Sequence, residues 1–169
     1  MPGPLTREID AVQNAALGAT LLWRFASAYG SSRKSPESTP LTMLFLPLPL
    51  LFYEETLRVI DGTQKTSTLR TFATKFSDWK HKESDVLLSL NSRAVAYRDL
   101  TLQSLRLAIA SRLLQIDVAR AEVLALSRTA PQHGIPSGVR PLLGAAEKLG
   151  AWCGGLTAFE VATALHVTF

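Results

Sequence analysis

The chain has 169 residues, enough for one domain that buries about 70% of the surface of its unfolded form. Its composition, 47% hydrophobic and 19% charged residues, excludes an intrinsically disordered chain. A single cysteine, Cys153, excludes a disulfide-stabilised scaffold. The net charge is +4, and the whole excess lies between Arg58 and Lys82, where six basic residues stand against two acidic ones.

Neither the N-terminus nor the longest apolar run of the chain has the features of a membrane-targeting or membrane-spanning segment. The stretch from Met1 to Glu8 has no basic segment followed by an apolar core, so we expect no signal peptide. The apolar run from Leu41 to Phe52 is 12 residues long and contains two prolines, whereas a membrane-spanning helix needs about 20 residues. We therefore expect a cytoplasmic protein that does not contact a membrane.

The first half of the chain is predicted to be helical. Apolar residues at helical spacing predict a helix from Thr6 to about Tyr29, ended by Gly30 and a polar loop over 31–40. The small residues 15–19 would allow a close neighbour, although ordinary core packing explains them as well. The start of the segment 44–51 is predicted to be extended because it contains two prolines. Helices are then predicted at about 50–60, 67–76 and 84–97.

After the next predicted helix, the spacing of the apolar residues changes from helical to alternating. Asp99 is placed to cap a helix, and after it Leu114, Ile116 and Val118 alternate with polar residues. With the apolar segment 123–126 they predict two short strands around a polar turn. A helix followed by a hairpin is the arrangement of a winged-helix module. A continuous helix over 122–128 is the other interpretation.

The last thirty residues predict two helices with defined ends. Pro141 suits the first turn of a helix, and Gly154-Gly155 suits a left-handed helix end. Thr157 and Glu160 have the spacing of a capping box for the second helix. Trp152 lies at helical spacing with its apolar neighbours, which predicts a core position.

The predicted fold class is therefore mainly α with a small β-hairpin. We expect one compact helical domain, and the predicted elements are compatible with a winged-helix-like portion. Its parts are an N-terminal helix and polar loop (1–40), a helical segment with the basic stretch and hairpin (41–128), and a C-terminal helix pair (139–169).

The residue types that carry catalysis or bind metals do not cluster in the sequence. His81, His133 and His166 are far apart, and Cys153 has no second cysteine nearby, whereas a metal site needs several converging ligands. Glu54 and Glu55 are adjacent, so on a helix they point about 100° apart. We expect no catalytic residue, no metal ion and no cofactor.

The basic stretch is the candidate for contact with DNA or with an acidic protein. Lys65, Arg70, Lys75 and Lys80 are five residues apart, so on one helix successive side chains would be rotated by about 140°. They do not form a single stripe, but over two helices and a loop they would, with Lys82, form a patch. Three interpretations remain open: contact with DNA phosphates, contact with an acidic protein partner, and a solvated surface without a ligand.

A second candidate surface is apolar. Large apolar side chains need cover from the chain's own fold or from another chain, and chain ends are usually polar. The residues predicted on this basis to contact a partner are Leu46, Leu48, Leu50, Phe52 and Phe169.

Several segments together resemble a known family. The chain is similar to the middle component of bacterial three-component ABC systems, the group that includes the small subunit of Lamassu-type anti-phage defence. The segments that carry this resemblance occur in order over nearly the full chain, at 6–10, 13–17, 46–50, 97–105, 146–152 and 160–169. Where the family often has Asn-Pro this chain has Asn14-Ala15, and where it has an aromatic residue after the tryptophan this chain has Cys153.

The resemblance implies an accessory subunit without catalytic activity. Its partners would be an SMC-like ABC ATPase, an effector nuclease and, through the complex, double-stranded DNA. The alternative interpretation is a stand-alone winged-helix DNA-binding regulator or antitoxin. A small enzyme is a third interpretation, and the lack of a polar constellation counts against it.

Overall fold

The computed structural model describes residues 14–32, 38–77, 84–127 and 134–169. These residues form a mainly helical domain with one small antiparallel sheet, which confirms the predicted fold class. The elements of the first half are α1 (Ala15–Ser31), β1 (Thr39–Pro40), a 3-10 helix (Leu41–Phe45), α2 (Pro47–Leu51), α3 (Glu54–Asp61) and α4 (Leu69–Ser77). Those of the second half are α5 (Ser84–Leu88), α6 (Leu90–Ala96), α7 (Arg98–Ala110), β2 (Leu114–Asp117), β3 (Glu122–Ala125), α8 (Arg140–Gly154) and α9 (Ala158–Leu165).

Helix α1 is the centre of the domain. The Asn14 side chain caps it by accepting hydrogen bonds from the backbone N–H groups of Ala16 and Leu17, at 3.0 and 3.1 Å. Its second half is buried on nearly every side and packs mainly against α8 and α7. The predicted start at Thr6 lies outside the described residues. The predicted end at Tyr29 is two residues short, because Gly30 is buried within the last turn.

Two glycines on α8 allow its backbone to approach α1 closely. A methyl group at Gly150 would overlap the carbonyl oxygen of Phe25, and one at Gly154 would overlap that of Tyr29. The predicted left-handed helix end at Gly154-Gly155 is wrong, since Gly155 has φ −79°. Close packing, and not backbone conformation, explains Gly154.

The prolines of the segment 44–51 lie in a helix. The prediction of an extended start is wrong, because Pro47 and Pro49 occupy the first turn of α2, where a helix needs no N–H donor. All five residues of α2 are buried. The following helix begins at Glu54 and not at Leu50, since Tyr53 is extended, with φ −112° and ψ 117°.

The helices around residue 90 also differ in detail from the prediction. The single helix predicted over 84–97 is two helices, α5 and α6, that part at Ser89. Asp99 lies in the first turn of α7, where a carboxylate suits the helix dipole, and does not cap it.

The predicted hairpin is confirmed, and it belongs to a three-stranded sheet. Strands β2 and β3 pair with Leu114 opposite Ala125 and Asp117 opposite Glu122. Strand β1 pairs with the other side of β3, giving the order β1-β3-β2. Several short helices and α7 stand between β1 and the hairpin, and the winged-helix interpretation stays a prediction.

The C-terminal helices follow the prediction closely. The capping box of α9 is present, with the backbone N–H of Thr157 bonded to Glu160 and that of Glu160 bonded to the Thr157 hydroxyl. Trp152 is a core residue, as predicted. Its ring stacks on Phe72 at 5.7 Å, and its indole N–H donates to the carbonyl oxygen of Lys65 at 3.1 Å.

The glycine contact between α1 and α8 predicts opposite effects for two substitutions in one helix. Gly150→Ala should lower the free energy of unfolding by about 1–3 kcal/mol, because the added methyl group forces the helices apart. Gly144→Ala is the matched control, since Gly144 is exposed and no atom lies within 4 Å of the new methyl group. It should raise the free energy of unfolding by about 0.5–1 kcal/mol through helix propensity alone. Urea unfolding of both variants measures these changes, and equal effects would contradict the packing explanation.

Candidate partner interface

Residues 166–169 lie against α6 and are held there through their backbone. Helix α9 ends at Leu165. The next residue, His166, turns the chain with a φ of 55°, and the N–H of Val167 donates to the carbonyl oxygen of Ala162. The Asn91 amide then makes two hydrogen bonds of 3.1 Å. It donates to the carbonyl oxygen of His166 and accepts from the N–H of Thr168. One side chain of α6 thus fixes the course of this segment.

An apolar groove of about 470 Å³ lies between α6 and this segment. We call it the C-terminal groove. One wall comes from α6 and the start of α7, where Asn91, Ala94, Val95 and Arg98 follow helical spacing. The other residues that line it are Thr42, Phe45, Leu46, Val167, Thr168 and Phe169. Val95 is 74% exposed and Phe169 48%, so the groove presents apolar surface to its surroundings.

The inner face of α6 is fixed by Arg93. Its guanidinium donates hydrogen bonds to the carbonyl oxygens of Pro49 in α2 and Val86 in α5, at 2.8 and 2.6 Å. It also lies 4.1 Å from the centre of the Tyr53 ring, a cation–π contact. Burial lowers the pKa of Arg93, although Tyr53 and Tyr97 act in the opposite direction. Arg93 therefore holds the α6 wall of the groove, and Asn91 holds the opposite wall, which residues 166–169 form.

The predicted apolar contact residues fall into two groups. Leu46, Leu48 and Leu50 are buried in the chain's own core. Leu48 and Leu50 belong to α2, whose residues are all buried, and contact of the three leucines with a partner stays a prediction. Phe52 is half-buried, with its ring 5.9 Å from that of Tyr97. Phe169 lines the C-terminal groove, and its contact with a partner stays a prediction.

Three described residues of the basic stretch each have a partner within the chain. Lys65 pairs with Glu147, Arg70 lies 3.4 Å from Glu160, and Lys75 donates to the hydroxyl of Thr63 at 2.7 Å. The structure does not bring the three to one acceptor. Lys80 and Lys82 lie outside the described residues. Contact of this stretch with DNA or an acidic partner stays a prediction.

Glu147 is a charged site that sequence reasoning missed. Its carboxylate pairs with Arg24 of α1 and with Lys65 of the segment before α4. Burial raises the pKa of Glu147, but the two cations outweigh burial, and the pKa is lower than usual. No local pattern marks this cluster, because the two partners of Glu147 are 123 and 82 residues away.

A comparison with protein-family models decides the family. The model of the ABC-three component (ABC-3C) system Middle Component 3 matches residues 3–169. The chain belongs to this family. Searches of curated proteins and of solved structures gave no match. The middle component is an accessory subunit of ABC-three component systems, and such a subunit works with partner subunits in a complex.

The chemistry available in the described part of this middle component is limited. The only cysteine of the sequence, Cys153, is buried, and burial raises the pKa of its thiol to about 12, so the thiol is protonated at neutral pH. No group of three His, Cys, Asp or Glu side chains among the described residues could hold a metal ion. None of the described helices is long and apolar enough to cross a membrane.

The Glu147 cluster predicts a pH-dependent loss of stability. Because the pKa of Glu147 is lowered on folding, its contribution is present above the unfolded-state pKa of about 4.3 and is lost as the pH falls through the lower folded value. Glu147→Gln should therefore be less stable than the native chain at pH 7, by about 1 kcal/mol. The difference should shrink as the pH is lowered from 7 toward that folded value.

Denaturant unfolding at pH 7, 5 and 3 measures this difference. Glu54→Gln serves as the control, since Glu54 is exposed and has no ion-pair partner in the described part of the chain. It should cost less stability at pH 7. A Glu147→Gln difference that does not change with pH would contradict the ion-pair explanation.

Proposed function

We propose that this middle component is a non-catalytic bridging subunit of an SMC-like ABC ATPase complex of anti-phage defence, as in Lamassu-type systems. In this proposal it links the ATPase to an effector nuclease and helps to control the nuclease. The observation that carries it is the family match over residues 3–169. The resemblance of ordered segments to the Lamassu-type small subunit supports the identity of the partners.

The surface supports a bridging role because it has two separate apolar grooves. The C-terminal groove lies on one side of residues 166–169. A second groove of about 390 Å³ lies between α4 and α9 and is lined by Arg70, Ala73, Phe159, His166 and four neighbours. Phe159 is 79% exposed. Large exposed apolar side chains in grooves are typical of protein–protein contacts, and a bridge between two proteins needs two such surfaces.

Co-expression with the neighbouring genes tests the proposal. The tagged chain should elute with the ATPase and the effector in size-exclusion chromatography, and native mass measurement should give their stoichiometry. The sample should be at micromolar concentration and moderate salt, so that weak surface charges are screened. Elution of the chain only as a free monomer would reject the bridging role.

A second candidate function is DNA binding by the winged-helix portion, acting alone as a regulator or antitoxin or within the complex. The observation that favours it is the strand order β1-β3-β2 with α7 immediately before the hairpin. Exposed basic residues accompany this module, namely Arg106 on α7, Arg112 before β2 and Arg120 in the hairpin turn. Cationic side chains on such a surface suit phosphate binding.

Two sets of substitutions separate the predicted DNA surfaces. Replacing Arg106 and Arg112 with glutamine should weaken binding to all duplexes alike, and the salt slope should fall by about 0.9 for each phosphate that is no longer neutralised. Replacing Lys65, Arg70 and Lys75 with glutamine tests the basic stretch in the same way. We expect a smaller effect, because these three groups have partners within the chain. Affinities for two unrelated duplexes at two salt concentrations measure both, and equal values for all proteins would reject DNA binding by either surface.

A further inference from the structure

We propose that the C-terminal groove binds an amphipathic helix of a partner subunit, with apolar residues along one face and an acidic residue opposite Arg98. This inference rests on the proposed function and states the chemistry of the partner. It places one of the contacts of the bridge at the groove between α6 and residues 167–169.

The shape and apolar lining of the groove suit a helix. Ala94 and Val95 project from one turn of α6, and Phe45 and Phe169 add aromatic surface beside them. A helix that places apolar side chains at i, i+3, i+4 and i+7 fits a groove of this kind. Burial of Val95 and Phe169 by such a helix would remove exposed apolar surface from water, and this is the main source of affinity.

The most central polar group of the groove, the Asn91 amide, is not free to orient a small molecule. Pockets for small molecules orient them through a few free polar groups. Here the nitrogen and the oxygen of the Asn91 amide are both already hydrogen-bonded, to the backbone of His166 and of Thr168. Besides the hydroxyls of Thr42 and Thr168, the groove is left with apolar surface and one charged side chain.

That charged side chain is Arg98, and it favours a partner with a negative charge at the contact. Among the side chains of the described residues that line the groove, that of Arg98 alone is charged. It is exposed and makes no ion pair with any described residue. The neighbouring Asp99 does not neutralise it, because adjacent residues of a helix point about 100° apart. A carboxylate at the edge of the incoming helix would complement it and fix the register of docking.

The groove needs no rearrangement before it binds. Arg93 fixes α6 from inside through Pro49 and Val86, and Asn91 fixes the opposite wall. A preformed groove avoids the cost of ordering its walls on binding. A helix therefore docks against α6 in the arrangement described.

Matched substitutions in the full co-expressed complex test the groove. Val95→Asp places a charge in the apolar wall and should weaken partner binding at least tenfold. Val118→Asp is the control, since Val118 is 80% exposed but lies in the hairpin turn, away from the groove. It should bind like the native chain. Both variants should keep the native melting temperature, because both side chains are exposed in the free chain.

The charge at Arg98 is tested by reversal and by conservative replacement. Arg98→Glu should weaken binding about tenfold, and Arg98→Lys should retain most of the affinity because the positive charge remains. Equal binding by the two variants would overturn the predicted acidic contact.

A photo-reactive phenylalanine analogue at position 95 identifies the bound segment. The cross-linked peptide should come from a partner subunit and combine helical apolar spacing with an acidic residue. A cross-link to a second copy of this chain, to a segment without that pattern or to no protein would overturn the inference.

The same experiment distinguishes the two proposals. If the native chain forms the complex and Val95→Asp does so equally well, the groove inference fails and the bridging function stands. If the native chain does not enter the complex at all, both fail.

Discussion

The close contact between the backbones of α1 and α8 determines where the other elements lie. Two glycines of α8 meet carbonyl oxygens of α1, at Phe25 and Tyr29. On another face of α1, Gly18 meets the side chain of Ser104 in α7 with no room for a methyl group. Helices this close form many dispersion contacts at once. With α1 enclosed by α7, α8 and the sheet, the remaining short elements assemble around this core.

Those short elements depend on contacts distant in sequence. Helices of five to seven residues, such as α2, α5 and α6, are not stable by themselves because helix nucleation is costly. Arg93 joins all three through the carbonyl oxygens of Pro49 and Val86. Lys148 acts in a similar way at the end of α3, where its ammonium group donates to the carbonyl oxygens of Ile60 and Asp61. Cations on backbone carbonyls thus join parts of the domain that have little regular structure of their own.

The features that were predictable from the sequence are the local ones. The capping box at Thr157 and Glu160 needs only four consecutive residues, and the hairpin needs only two alternating segments. Features that depend on tertiary structure were missed or predicted wrongly. The two-residue strand β1 exists because β3 lies beside it, and α2 is helical because its prolines fall in a buried first turn. The C-terminal groove required the position of residues 166–169, which depends on a hydrogen-bonded asparagine 75 residues away from His166.

The hydrogen bonds of Asn91 to the main chain leave the neighbouring side chains free to change during evolution. Asn91 binds main-chain atoms of His166 and Thr168, and these atoms are the same for nearly every amino acid. The side chains at 166 and 168 are exposed and make no contribution to these two hydrogen bonds. Thr168 lines the C-terminal groove, so substitutions at this position would alter the surface of the groove while both hydrogen bonds are preserved. His166 instead lines the groove between α4 and α9, and its positive φ restricts the residues that this position accepts. The domain can therefore acquire a new partner preference by surface mutation at position 168, without loss of the contacts that place the segment.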